Sequence, residues 1–240
     1  MFDIFFDIIF PQNRCCLCRK TGWFHTLYPW CNECDEKLRE LQDSAAICDR
    51  CGKYLTVPGV SLCSDCSQKN PDFVIARAVG PYEEQFRIAI KVFKFLRRTH
   101  LAFRMAYMMA EMVKSDQRFL PIDIIIPVPA SLNSIEQRGF NQTELLAFRL
   151  YKHLKIKADE KVLIRVKETP NQRGSSKEDR EKNLYDAFRV NNRDKIKDQN
   201  VLLVDDVYTT GSTIKECTRT LLEAGAEKVA VISWAAGRGF

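Results

Sequence analysis

From residue 72 onward, short apolar runs alternate with stretches in which apolar residues recur every three to four positions. The runs at 73–79, 122–128, 161–166, 200–204 and 228–234 read as strands, and the stretches at 83–98, 102–114, 141–154 and 212–224 as amphipathic helices. Strands alternating with helices predict an α/β domain built on a parallel sheet. The composition changes at Pro71, which places a boundary near residues 67–72 and divides the chain into 1–14, 15–70 and 71–240. At the start, Phe2, Phe5, Phe6, Ile9 and Phe10 suit one face of a short helix docked on the domain behind it. Asp3, Asp7 and the stop at Pro11 argue against a signal peptide or a membrane span, so a cytoplasmic location is expected.

At 240 residues, 45% hydrophobic and 28% charged, the chain has the material for one mid-sized core plus a small appendage. Disordered and collagen-like classes are excluded. The net charge of +6 is spread along the chain, which permits a polyanionic partner without requiring one.

Nine of ten cysteines crowd into residues 15–66, and eight form C-x-x-C pairs: Cys15/Cys18, Cys31/Cys34, Cys48/Cys51 and Cys63/Cys66. Two residues between thiolates let a tight turn aim both sulfurs at one ion, and two such knuckles complete a closed tetrahedral zinc site. Neighbouring pairs taken together give two zinc-ribbon-like sites and two Zn2+; pairing the first knuckle with the third, and the second with the fourth, uses the same residues. Redox dithiols would occur singly at a strand-to-helix junction and not four in a row. Cys16 and His25 read as spectators, Cys217 as a packing residue.

The run from Val201 to Thr213, VLLVDDVYTTGST, is a buried strand, two carboxylates and a small-hydroxyl loop leading into a helix. Ligands of open parallel sheets bind at this edge. The helix N-terminus offers free N–H groups, so Thr209, Thr210, Gly211, Ser212 and Thr213 can wrap a phosphate monoester. Asp205 and Asp206 then stand where a ribose joined to that phosphate presents its hydroxyls. No Walker-type Gly-Lys-Ser/Thr is present. This run resembles the signature of the type I phosphoribosyltransferases.

A second segment, Pro127-Val128-Pro129 followed by Glu136-Gln-Arg-Gly-Phe-Asn-Gln142, again closes a strand and opens a helix. Its Arg-Gly-Phe-Asn-Gln narrows the resemblance to the ComF/GntX-like proteins. That resemblance implies a type I phosphoribosyltransferase fold behind a zinc module, with 127–129 holding diphosphate and Arg138 supplying a guanidinium fork. It also implies that 165–188 is a mobile hood closing over the diphosphate, with Lys167 and Arg180 bringing positive charge to the leaving group. Phosphoribosyl pyrophosphate with Mg2+ is the implied ligand, and DNA uptake in natural transformation the implied setting. Single-stranded DNA and competence proteins such as a DNA-uptake helicase are the implied partners.

The alternative is a non-catalytic, single-stranded-DNA-binding or scaffold protein that retains the phosphoribosyl site. Its sequence support is Lys91, Lys94, Arg97 and Arg98 beside Phe93 and Phe95, which combine phosphate contacts with base stacking or make a solvated basic face over a buried aromatic one. His153 reads as an exposed helix residue. Gly237 to Phe240 leave no tail to cover a nucleobase, so any base recognition is expected from the N-terminal side.

Overall fold

The computed structural model describes residues 12–44, 46–168 and 182–239. The elements run β1 (Gln12–Arg14), β2 (Thr21–Phe24), α1 (Asn32–Asp43), β3 (Tyr54–Leu55), α2 (Ser64–Gln68), β4 (Ile75–Pro81), α3 (Glu84–Phe95), α4 (Leu101–Ser115), β5 (Ile124–Pro127), α5 (Leu132–Arg138), α6 (Gln142–Leu154) and β6 (Leu163–Arg165). They continue with β7 (Phe188–Val190), β8 (Asn200–Tyr208), α7 (Ser212–Glu223), β9 (Lys228–Ala236) and β10 (Arg238–Gly239). The expected N-terminal helix falls within 1–11, outside the described residues, while 12–14 pair as β1 with β2.

Four apolar runs form one parallel sheet in the order β4-β9-β8-β5. Their continuous apolar sequences reflect burial on both faces. Strand alternation sends Leu202, Val204, Ala230 and Ile232 to one face, against α3, α4 and α6. Val201, Leu203, Val229 and Val231 go to the other, against Ile214, Cys217 and Leu221 of α7. Cys217 is fully buried there, as its helical spacing suggested.

The segment 161–166 departs from expectation. It forms only β6, which pairs antiparallel with β7 outside the parallel sheet. Only Leu163 of its three residues is buried, so the strand has a single apolar anchor. α3 ends at Phe95 and not at Arg98, because Arg97 takes a left-handed φ of 51° and the N–H of Arg98 turns back to Val92 O at 3.5 Å. His153 is half-buried, edge-on to Phe103 and Tyr107 at 5.2 and 5.6 Å, and not exposed.

Both cysteine-rich segments share the core of the sheet. Trp30 is buried 6.3 Å from Trp234, which also packs 5.0 Å from Phe86. Asp35 of α1 accepts from Trp30 Nε1 and from Arg104 of α4, at 2.9 and 3.0 Å. Further along, β3 pairs in parallel with β10. Buried Arg77 donates to the carbonyls of Cys48 and Asp49 at 3.4 and 3.0 Å, and the N–H of Ala76 donates to Arg50 O. No helix among the described residues is long and apolar enough to cross a membrane.

Candidate functional site

The cysteines gather as Cys15, Cys18, Cys31, Cys34 and as Cys48, Cys51, Cys63, Cys66, with the sulfurs of each set within 4.8 Å of one another. This is the pairing of neighbours, not the interleaved one. Sulfur separations of 3.9 Å (Cys15–Cys34), 3.7 Å (Cys18–Cys31) and 3.6 Å (Cys51–Cys63) match the edges of about 3.8 Å of a tetrahedron with ~2.3 Å zinc–sulfur bonds. Backbone N–H groups of Cys18 and Cys31 point at Cys15 Sγ, and that of Cys63 at Cys48 Sγ. Burial opposes ionisation of Cys15, yet these donors bring its thiol down to about 7. Cys48 falls to about 4, chiefly through the thiol of Cys51 and with the help of backbone donors. Both sets fit structural Zn2+. Cys16, which burial raises to about 11, stays a neutral thiol outside the first set, and His25 belongs to neither.

β8 carries the second constellation. Val204, the residue before the two acids, lies opposite Pro127 of β5, and Val128 N donates to Val204 O at 2.9 Å. The ends of the two predicted loops are therefore neighbours on one sheet edge. Thr143 Oγ1 ties the 127–129 turn down by donating to Val128 O at 2.6 Å. After β8, Gly211 enters α7 with φ +83° and no side-chain cap on the helix. A Cβ there would lie 2.6 Å from Tyr208 Oη, so both conformation and space require glycine. Thr210 and Ser212 hydroxyls stand 3.0 Å apart at the same helix start. Cavities of about 530 and 460 Å³ flank this loop; both are lined by Asp72 and Lys215, and neither reaches the carboxylates.

The acids differ in setting. Asp206 follows Leu202 and Val204 toward α3, where Lys94 Nζ lies 2.7 Å from Oδ2 in a contact that leaves both side chains at most 15% exposed. Asp205 falls on the other side, and its Oδ1 accepts the N–H of Asp206 at 2.8 Å. Burial first, and the charge of Asp206 second, raise Asp205 to about 7.

Lys94 is the site residue that the sequence pattern concealed, since it was grouped with a basic face. The signal was present: Phe86, Ile90 and Lys94 are spaced by four, which places the lysine in the apolar stripe of α3. The basic–aromatic grouping itself does not hold. Phe93 is fully buried, Phe95 is 55% exposed, and Arg97 and Arg98 lie beyond the helix. Arg138 Nη1 donates to Gln142 Oε1 at 2.9 Å while its guanidinium lies over Phe95. Lys167 sits exposed after β6. Arg180 lies outside the described residues.

The model of the phosphoribosyl transferase domain matches residues 135–239, and that of the double zinc ribbon domain residues 5–67. Competence protein F of Haemophilus influenzae is 32% identical over 92% of this chain and 96% of its own. DNA utilization protein YhgH of Salmonella typhi is 32% identical over 82% and 87%, and competence protein ComFC of Bacillus subtilis 30% over 81% and 78%. Among solved structures, the B. subtilis glutamine phosphoribosylpyrophosphate amidotransferase is similar over 59% of this chain and 30% of that one, with 16% identity and a TM-score of 0.40. The chain belongs to the ComF family of competence proteins, a type I phosphoribosyltransferase domain joined to an N-terminal double zinc ribbon.

Proposed function

We propose that this protein binds phosphoribosyl pyrophosphate at the carboxyl edge of β8 and transfers its phosphoribosyl group, acting in the cytoplasm during DNA uptake. The observation that carries this reading is the succession on one edge of two acids, a hydroxyl loop and a helix start without a side-chain cap. Thr209 to Thr213 hold the 5-phosphate through hydroxyls and the N–H groups of α7. Asp205 and Asp206 orient the ribose hydroxyls, and residues 127–129 lie against the diphosphate. The bond from C1 to the diphosphate oxygen breaks as an acceptor nucleophile bonds to C1, with positive charge developing on the sugar between them. The two acids are also the residues that would hold Mg2+, and the ion would supply positive charge toward the diphosphate when bound. Arg138, Lys167 and Arg180 are the proposed charge partners of that leaving group. Reduced ribbon thiolates suit the cytoplasm.

A second reading, a single-stranded-DNA-binding or scaffold protein that keeps the site without turnover, is favoured by the Lys94–Asp206 pair, which engages one of the two acids. The partners it implies are single-stranded DNA and competence proteins such as a DNA-uptake helicase. Calorimetric titration with phosphoribosyl pyrophosphate and Mg2+ tests the first reading. Binding by the parent, lost in Asp205→Ala/Asp206→Ala, is expected; folded, zinc-loaded protein that does not bind would overturn it.

A further inference from the structure

On the other flank of α3, three arginines converge. Arg14 of β1, Arg19 after the first knuckle and Arg98 after α3 line a cavity of about 210 Å³, together with Gln12, Asn13, Cys16 and Val92. Among the described residues, no carboxylate lines it, and none of the three guanidinium groups is in an ion pair. Like charges gathered in a concavity without counter-charge repel one another and focus a positive potential there.

The backbone holds this convergence in place. Arg19 directly follows Cys18, takes a left-handed φ of 68° and donates its N–H to Cys15 O at 3.1 Å, so the first cysteine cluster fixes its origin. The left-handed turn at Arg97 delivers Arg98 to the same cavity from the opposite side. At the floor, the thiol of Cys16 donates to Gln12 Oε1 at 3.3 Å. That engages the carbonyl end of the carboxamide and leaves its NH2 end as a further donor. A planar fork with several N–H groups matches the oxygens of a phosphate better than any other common anion-binding side chain.

We infer that the cleft between the first zinc knuckle and the α3–α4 turn is a phosphate-binding site built from Arg14, Arg19 and Arg98. The phosphate is carried by a single nucleic-acid strand or by a free compound such as pyrophosphate. This site shares no residue with Asp205, Asp206 or the 209–213 loop, and the inference stands whether or not phosphoribosyl pyrophosphate binds there.

The test uses full-length, zinc-loaded protein in the Asp205→Ala/Asp206→Ala background; the 209–213 loop is still present there, so the cleft's share is what the triple variant below loses. Anisotropy with a labelled oligothymidylate is followed across a salt series, and pyrophosphate is titrated by calorimetry. Strand binding should weaken about tenfold or more in Arg14→Ala/Arg19→Ala/Arg98→Ala, and the log–log salt slope should fall by about 2, at ~0.7 per lost phosphate contact. Pyrophosphate binding without strand binding, lost in the same triple variant, would assign the cleft to free phosphate compounds. Zinc content equal to the parent's confirms that the variant is folded, and Arg14→Lys/Arg19→Lys/Arg98→Lys should recover most of the salt slope. The inference fails if neither probe binds, or if the alanine variant keeps both affinities and the slope unchanged.

Discussion

The two ribbons each hold four sulfurs on two C-x-x-C knuckles, with twelve residues between the knuckles in the first and eleven in the second, yet they are bound into the molecule differently. In the first, Cys18 is exposed and Cys31 half-buried, and the attachment to the core is by side chains: Trp30 against Trp234, Asp35 to Arg104. In the second, Cys48, Cys51 and Cys63 are all buried, and the attachment runs through the backbone, by the β3–β10 pair and by Arg77 on the carbonyls of Cys48 and Asp49. The second ribbon also reaches the 209–213 loop, because Lys53 packs on Tyr208, the ring beside Gly211. The difference teaches that nearly the same metal motif can be an attachment in one place and part of the main core in another.

The sharpest way to break this contrast is to remove one ligand from each site. Structural zinc contributes on the order of 10 kcal/mol in modules of this size. Cys63→Ser should therefore abolish the cooperative thermal transition of the whole chain, whereas Cys18→Ser should lose one zinc and leave the sheet's transition in place. Equal collapse in both would refute the distinction. Chelator titration of the parent should likewise release zinc in two phases, the exposed first site leading.

Gly52→Ala is expected to cost about 2–4 kcal/mol by denaturant titration. Its φ is +67°, and a Cβ would stand 2.6 Å from Ala76 O, in the strand the ribbon leans on. Arg77→Leu leaves the carbonyls of Cys48 and Asp49 without that donor and should cost about 3 kcal/mol. If the ribbon were merely tethered, both substitutions would be close to neutral.

The smallest expected effect is on pH dependence at β8. Asp205 titrates near 7 in the folded chain against 3.8 for an ordinary aspartate, so folding favours its protonated form. Its stabilising contribution is complete below pH 3.8 and is lost as the pH rises through 7. Stability of Asp205→Asn should lack that decline, and binding of Mg2+ with phosphoribosyl pyrophosphate in the parent should strengthen over the same interval. Lys94→Met removes a charge that holds Asp205 down and should move the binding profile to higher pH.

Much of this architecture was legible in periodicity. The four sheet strands and the helices α3, α4, α6 and α7 stand where the apolar spacing placed them, because burial on two faces or on one stripe leaves a long, regular trace. What escaped was short or conditional. β1, β2, β3 and β10 are two to four residues long and exist through their partners. α5 rests on a Ser131 cap and a left-handed Gly139, with no buried residue of its own to create a pattern. In the candidate site, Asp205, Asp206 and Gly211 were visible as a contiguous run. Lys94 was hidden because it comes from another helix and because charge suggested solvent where position indicated the interior. Arg14 and Arg19 meet Arg98 only after the chain has folded back on itself, which no local spacing encodes.

The pairing of β3 with β10 sets an order of events in biosynthesis. Tyr54 leaves the ribosome 184 residues before its strand partner Arg238. The second ribbon can take its metal as soon as Cys66 has emerged, but its sheet edge stays open until β10 has been made. Closing that edge is a contact of very long sequence separation, the kind that forms slowly. Completion of the ribbon thus waits on a strand that follows the parallel sheet in the chain, and until β10 is made the edge of β3 stays unpaired.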